Sequence, residues 1–183
     1  MATDLHNLSD YNFENVPSGE AFRFGIVVAE WHSEITNALL QGATETLLNN
    51  DVYEEDIIVK KVPGSFELSI GCQFMAEYTS VDAIICLGAV IRGETPHFEY
   101  ICQGLTQGIT SVSLEYNIPV IFGILTTDDF DQAKERSGGK FGNKGIEAAV
   151  TAIKMAVLHD EMVEEEEDED EDLDDDDETE ENI

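Results

Sequence analysis

The chain has 183 residues, a length that suggests one domain, and it carries 40 acidic against 9 basic residues for a formal charge of −31. Residues 160–183 hold 18 of the acids and no base, which leaves 22 acidic against 9 basic residues in the rest. That balance argues against nucleic acid and anionic membrane surfaces as partners.

A block as charged as 160–183 repels itself and cannot bury apolar surface, so it is expected to be a disordered acidic tail. Solubility and contact with a basic partner are both open to it. Residues 1–20 mix polar and turn residues with a few apolar ones, and read equally well as a flexible arm or an edge strand. They lack a basic region followed by an apolar run, so no signal peptide is expected. No apolar stretch approaches the ~18 residues that a membrane span needs. Cys72, Cys86 and Cys102 fall in apolar patterns without CxxC or Cys/His ligand spacing. They read as reduced core residues of a soluble, cytoplasmic protein, and no metal site is expected. The resulting division is an arm over 1–20, a domain over 21–159 and a tail over 160–183.

The regular elements follow in order. Residues 22–29, FRFGIVVA, make a first strand. Ser33 is placed to cap a helix whose buried face is Ile35, Ala38, Leu39, Gly42, Ala43, Thr46 and Leu47. A second strand covers 57–62 and stops at Pro63-Gly64. A helical segment over 66–78 follows, with Leu68, Cys72 and Met75 on one side. The apolar run 83–87 has the character of a strand buried on both faces. Gly88 and Gly93 bracket a short connection, and Thr95-Pro96 reads as a helix N-cap followed by proline at the first helical position. Apolar residues then recur at Phe98, Ile101, Cys102, Leu105, Ile109 and Val112, which is helical spacing. A fourth strand spans 120–125 and a short helix about 129–136. The loop SGGKFGNKG leads to a last helix with Ile146, Ala149, Val150, Ile153 and Val157 inward.

Strand and helix thus alternate four times. The expected fold is α/β: a three-layer sandwich in which a four-stranded parallel sheet of flavodoxin-like order carries helices on both faces. Ligands of such sheets bind beyond the carboxyl ends of the strands. Trp31-His32, Ser65-Phe66-Glu67, the 89–97 loop and Thr126-Thr127 all fall there. His97 lies at a helix start, where free N–H groups and the positive dipole end suit an anion. The same dipole disfavours an imidazolium, so His97 is expected to be neutral and able to take a proton. Together these residues suit a flat, polar-edged ligand carrying phosphate. Each has a plainer reading as well: a solvated histidine, two packing aromatics, an acid in a first helical turn. Spacing alone leaves both open.

Five blocks carry more than spacing: EWHSEITNALLQGA (30–43), VPGSFE (62–67), GAVIRGETPHFEY (88–100), IPVIFGILTT (118–127) and KERSGGKFGNKG (134–145). In order and separation they closely resemble lumazine synthase, an enzyme of riboflavin biosynthesis, over about residues 20–157. The resemblance implies condensation of 5-amino-6-(D-ribitylamino)uracil with 3,4-dihydroxy-2-butanone 4-phosphate, without cofactor or metal. It puts the aromatic that stacks on the pyrimidine at Trp31. The pyrimidine and ribityl contacts fall on Ser65, Phe66, Glu67, Ala89, Val90 and Ile91. Phosphate falls on Glu94 and Thr95, through backbone amides, and the proton-transfer residue is His97. Phe122 and Arg136 match positions that a neighbouring subunit supplies, one against the pyrimidine and one on the phosphate. Lys144 lies near that phosphate in the family too.

The family pattern also implies pentamers with shared active sites. The 137–144 connection has no insertion relative to members that build a 60-subunit icosahedral shell, so a shell is expected. Three positions depart from the commoner pattern. Trp31 stands where phenylalanine is frequent and keeps the stacking surface. Ala89 replaces a frequent threonine and removes a hydroxyl. Glu94 adds an acid where phosphate lies, and its amide can serve if the side chain points to solvent.

Overall fold

A computed structural model describes residues 7, 9–12 and 15–177, with side chains described up to residue 165. The strands are β1 (Phe24–Ala29), β2 (Ile57–Val62), β3 (Ala83–Ile91) and β4 (Val120–Thr127), with a small pair β5 (Ser137–Gly139) and β6 (Gly142–Asn143). The helices are α1 (Ser33–Asn49), α2 (Leu68–Tyr78), α3 (His97–Glu115), α4 (Phe130–Glu135) and α5 (Lys144–Asp177). The main sheet has the order β2-β1-β3-β4. All of its pairings are parallel, as the strand–helix alternation predicts.

The layers follow from the two-residue period of β1. Phe24, Ile26 and Val28 face one way and pack with α1 and α5 around Ile35, Leu39, Ala149 and Ile153. Val27 and Ala29 face the other way, with Leu68 and Cys72 of α2 and Leu105 and Ile109 of α3. The central strands β1 and β3 are therefore buried on both faces, which is why their sequences run apolar without alternation.

Several boundaries move, for physical reasons. β1 starts at Phe24 rather than at residue 22. β3 runs to Ile91 and β4 to Thr127, beyond the predicted 83–87 and 120–125, because the two pair residue for residue from Ile84↔Val120 to Ile91↔Thr127. Gly88 does not end β3; it admits neighbours. A Cβ there would lie 2.8 Å from both Leu68 Cδ1 and Ser65 Oγ. Ser33 is not the cap of α1: His32 takes that position in the left-handed region (φ 58°, ψ 47°), and its carbonyl accepts from the Ile35 and Thr36 N–H groups. Thr95 is likewise no cap. Pro96 holds the cap position of α3, its carbonyl accepts from Glu99 and Tyr100 N–H, and His97 is the first helical residue. The segment after Pro63-Gly64 opens as a 3₁₀ turn over Ser65–Glu67 before α2 begins. On α1, Thr36 is buried whereas Ala38 is only half-buried.

The buried seam of α5 is richer in alanine than its large residues suggest. Ala148, Ala149, Ala152, Ile153 and Ala156 are buried, while Ile146 and Val157 are half-buried. The helix continues to Asp177, so residues 160–177 have helical backbone where the charge run predicts disorder. The described residues of 7–20 form no strand. Ser9 Oγ accepts from the Asn143 N–H at 2.9 Å, and Gly19 N–H donates to Asn50 O at 2.8 Å, so this segment lies against the body. The remainder of 1–20 and residues 178–183 are outside the described residues.

Cys72 and Cys86 are buried free thiols with their Sγ atoms 2.9 Å apart, and burial pushes the Cys86 thiol well up from its ordinary value. Cys102 is only partly buried. Among the described residues, no helix is long and apolar enough to cross a membrane.

Candidate active site

A cleft of about 600 Å³ opens beyond the carboxyl ends of β1, β2 and β3. Three strand ends build it. After β1 the chain stays tied to β2, Glu30 N–H donating to Val62 O and Trp31 N–H to Pro63 O at 3.2 Å. The indole of Trp31 is left 71% exposed, a large apolar plane with little to cover it. After β2, the 3₁₀ turn is pinned to β3 by the Ser65 hydroxyl, which donates to Ala89 O at 3.1 Å. Glu67 then aims back over Gly64. A Cβ on that glycine would stand 3.0 Å from Glu67 Oε2 and 4.0 Å from the Trp31 ring, so glycine keeps a passage open between carboxylate and indole. The last three residues of β3, Ala89, Val90 and Ile91, form the floor, and across the loop that follows stands His97 at the start of α3.

The cleft therefore brings together Trp31, Ser65, Phe66, Glu67, Ala89, Val90, Ile91 and His97, all of them in the set expected from sequence. His32, also expected at the strand ends, lines it as well, together with Pro63, Gly64 and Ile101. The position of His32 follows from its place just past β1, although its left-handed backbone does not, and Ile101 could have been found as the α3 residue one turn after His97. The walls are apolar and half-exposed, with Phe66 at 56%. A carboxylate and an imidazole stand at their edges. Such a surface takes a flat ligand by stacking and reads its rim by hydrogen bonds.

Glu94 and Thr95 do not line the cleft. They lie in the exposed 92–96 loop, where a Cβ on Gly93 would meet nothing within 4 Å. The His97 and Phe98 N–H groups precede the helical ladder and are available to an anion at that end. Phe122 and Arg136 are elsewhere again. Phe122 is half-buried on β4 beside a separate groove with Thr106, Thr110 and Leu114. Arg136 ends α4, where its guanidinium carbon lies 4.6 Å over the Phe141 ring and Nη1 donates to Gln132 O at 3.0 Å. Lys144 N–H donates to Arg136 O at 2.9 Å, and the Lys144 ammonium pairs with Glu147. The connection between Arg136 and α5 turns tightly because Gly138 and Gly142 take positive φ, 125° and 80°.

A doubly wound parallel sheet with a stacking cleft at its strand ends defines an α/β enzyme of small, flat substrates. Residues 21–160 match the family model of 6,7-dimethyl-8-ribityllumazine synthase. The chain is 58% identical over 158 residues to the protein of that name from Porphyromonas gingivalis, covering 86% of this chain and 98% of the relative. Its namesake from Parabacteroides distasonis is 57% identical over 155 residues, covering 85% and 97%. That from Cytophaga hutchinsonii is 56% identical over 155 residues, with the same coverage. The chain belongs to the 6,7-dimethyl-8-ribityllumazine synthase family. It is a transferase that condenses 5-amino-6-(D-ribitylamino)uracil with 3,4-dihydroxy-2-butanone 4-phosphate, the penultimate step of riboflavin biosynthesis.

Proposed function

We propose that the cleft holds the pyrimidine between Trp31 and Phe66, with Glu67 and the 89–91 backbone on its polar edge. Phosphate of the second substrate sits at the 94–95 amides and the first turn of α3, and Arg136 of a neighbouring copy closes over it. The carrying observation is convergence: eight residues at or just beyond the carboxyl ends of three strands line one cavity. The reaction then needs an amine to add to a ketone, water and phosphate to leave, and a ring to close. Each step moves a proton, and His97 lies at the cleft edge to carry it. Holding two substrates side by side contributes the larger share, roughly 7–11 kcal/mol of barrier.

Phe122 and Arg136 serve another copy's cleft, in a pentamer with shared sites. Two surfaces support this. Phe66, Ile70, Phe74 and Tyr78 recur every four residues as an exposed apolar stripe that runs along α2 from the cleft. The groove beside Phe122 lies open on α3 and β4. Two different patches meeting head to tail close into a ring when the rotation between copies divides the circle. The domain is residues 21–159, with the arm before it and the acidic tail after. Free Cys72, Cys86 and Cys102 fit a cytoplasmic setting.

Mixing two crippled chains tests the shared site. Co-assembled His97→Ala and Arg136→Ala copies should regain activity, because random placement rebuilds about one quarter of the sites with both residues intact. A mixture no more active than its two parts would place both residues in one copy's site.

Assembly beyond the pentamer is a 60-subunit shell, on the absence of an insertion at 137–144. Deletion of 160–183 should leave the rate per site unchanged, since none of the cleft-lining residues belongs to that segment. Light scattering of full and shortened chains at two salt concentrations should give the mass of 60 copies, with the full chain gaining most from added salt as tail repulsion is screened. A uniform pentamer throughout, or a large loss of rate on shortening, would count against the respective half of this reading.

A further inference from the structure

Arg92 ties together three elements at the rim of the cleft. It follows β3 directly, and its backbone N–H donates to Thr127 O at 2.9 Å. Its Nε reaches Asp128 Oδ1, just past β4, at 2.8 Å. One Nη pairs with Glu99 in the first turn of α3, and the guanidinium carbon lies 4.1 Å over the Phe98 ring. A planar fork held by two carboxylates and an aromatic face has little freedom to slide, unlike an ammonium on the same stem.

What lies between Arg92 and Glu99 is the anion loop and His97. Residues 93–95 are exposed and the space around Gly93 is open, so the loop has little packing of its own. One side chain thus joins the start of the loop to the helix turn that ends it. We infer that Arg92 is a positioning residue, which sets the start of α3 against the ends of β3 and β4 and so fixes the amides that receive phosphate. This rests on the phosphate placement proposed above. Direct contact with phosphate is the weaker reading, since the fork already faces two carboxylates. The bond from Arg92 also holds Glu99 below the usual carboxylate range, so the tie stays ionised at neutral pH.

The test uses the full chain with Arg92→Ala, Arg92→Lys and the double variant Glu99→Gln/Asp128→Asn. Arg92→Ala should raise KM for the butanone phosphate about tenfold and leave the pyrimidine KM within about twofold, while amide exchange over 93–97 speeds several-fold. Lysine should restore only a small part of both, and the double variant should shift both in the same direction by less. Unchanged exchange and KM in Arg92→Ala, or equal loss for both substrates, overturns the inference. So does tighter binding of the butanone phosphate by the double variant, which would make Arg92 a phosphate ligand held in reserve. If Arg92→Ala fails to assemble, the double variant decides, since it removes almost no volume. Inorganic phosphate added to the parent chain should slow exchange at 93–97. No protection there would sink the phosphate placement, whereas protection without any effect of Arg92 would sink this inference alone.

Discussion

Replacing His97 with alanine slows turnover roughly 10- to 1,000-fold without abolishing it. Positioned proton transfer typically contributes about 10²–10⁴-fold, while holding two reactants together contributes more. The alanine variant keeps the cleft that supplies the second effect, because His97 is exposed at the start of α3 and carries none of its buried face. Steady-state rates at saturating levels of both substrates decide it. A variant within twofold of the parent would remove His97 from the chemistry.

Arg136→Ala raises KM for the butanone phosphate on the order of 10- to 100-fold, the scale of a lost charge-assisted contact. The pyrimidine should bind almost as before. The guanidinium is braced by Phe141 and the Gln132 carbonyl, and among the described residues no carboxylate forms an ion pair with it. Such a cation keeps hydrogen-bond capacity for an incoming anion. Separate KM values for the two substrates check this. Equal weakening of both would show that Arg136 organises the contact between copies instead.

Much of this molecule is legible without coordinates. The buried strands betray themselves by unbroken apolar runs, and the cleft by the turns that follow them. Trp31, Phe66 and His97 belong to different turns, yet each stands next to the carboxyl end of a strand, and a parallel sheet puts such ends together. What stayed hidden depends on long-range contacts. β3 and β4 outrun their predicted ends because each supplies the other's hydrogen bonds. The caps of α1 and α3 shift by one residue because His32 and Pro96, not the hydroxyl residues, have the backbone geometry to end the turn. The tie from Arg92 to Asp128 and Glu99 joins residues whose proximity arises only after the sheet is formed. Local preference cannot see any of these.

The alanines of α5 set a limit on mutational drift. A seam of Ala148, Ala149, Ala152 and Ala156 lets backbone rather than side-chain length fix the height of α5 above the sheet. Just before it, a Cβ on Gly145 would stand 2.0 Å from Leu39 O, so no substitution fits at that crossing without displacement. The first residue of α5 donates its N–H to the Arg136 carbonyl. A bulky replacement in the seam would lever the helix outward and swing that arginine with it. The seam is a surveyor's datum for a guanidinium more than ten residues away, and if Arg136 holds phosphate as proposed, a variant there loses phosphate affinity while every residue of the cleft remains intact.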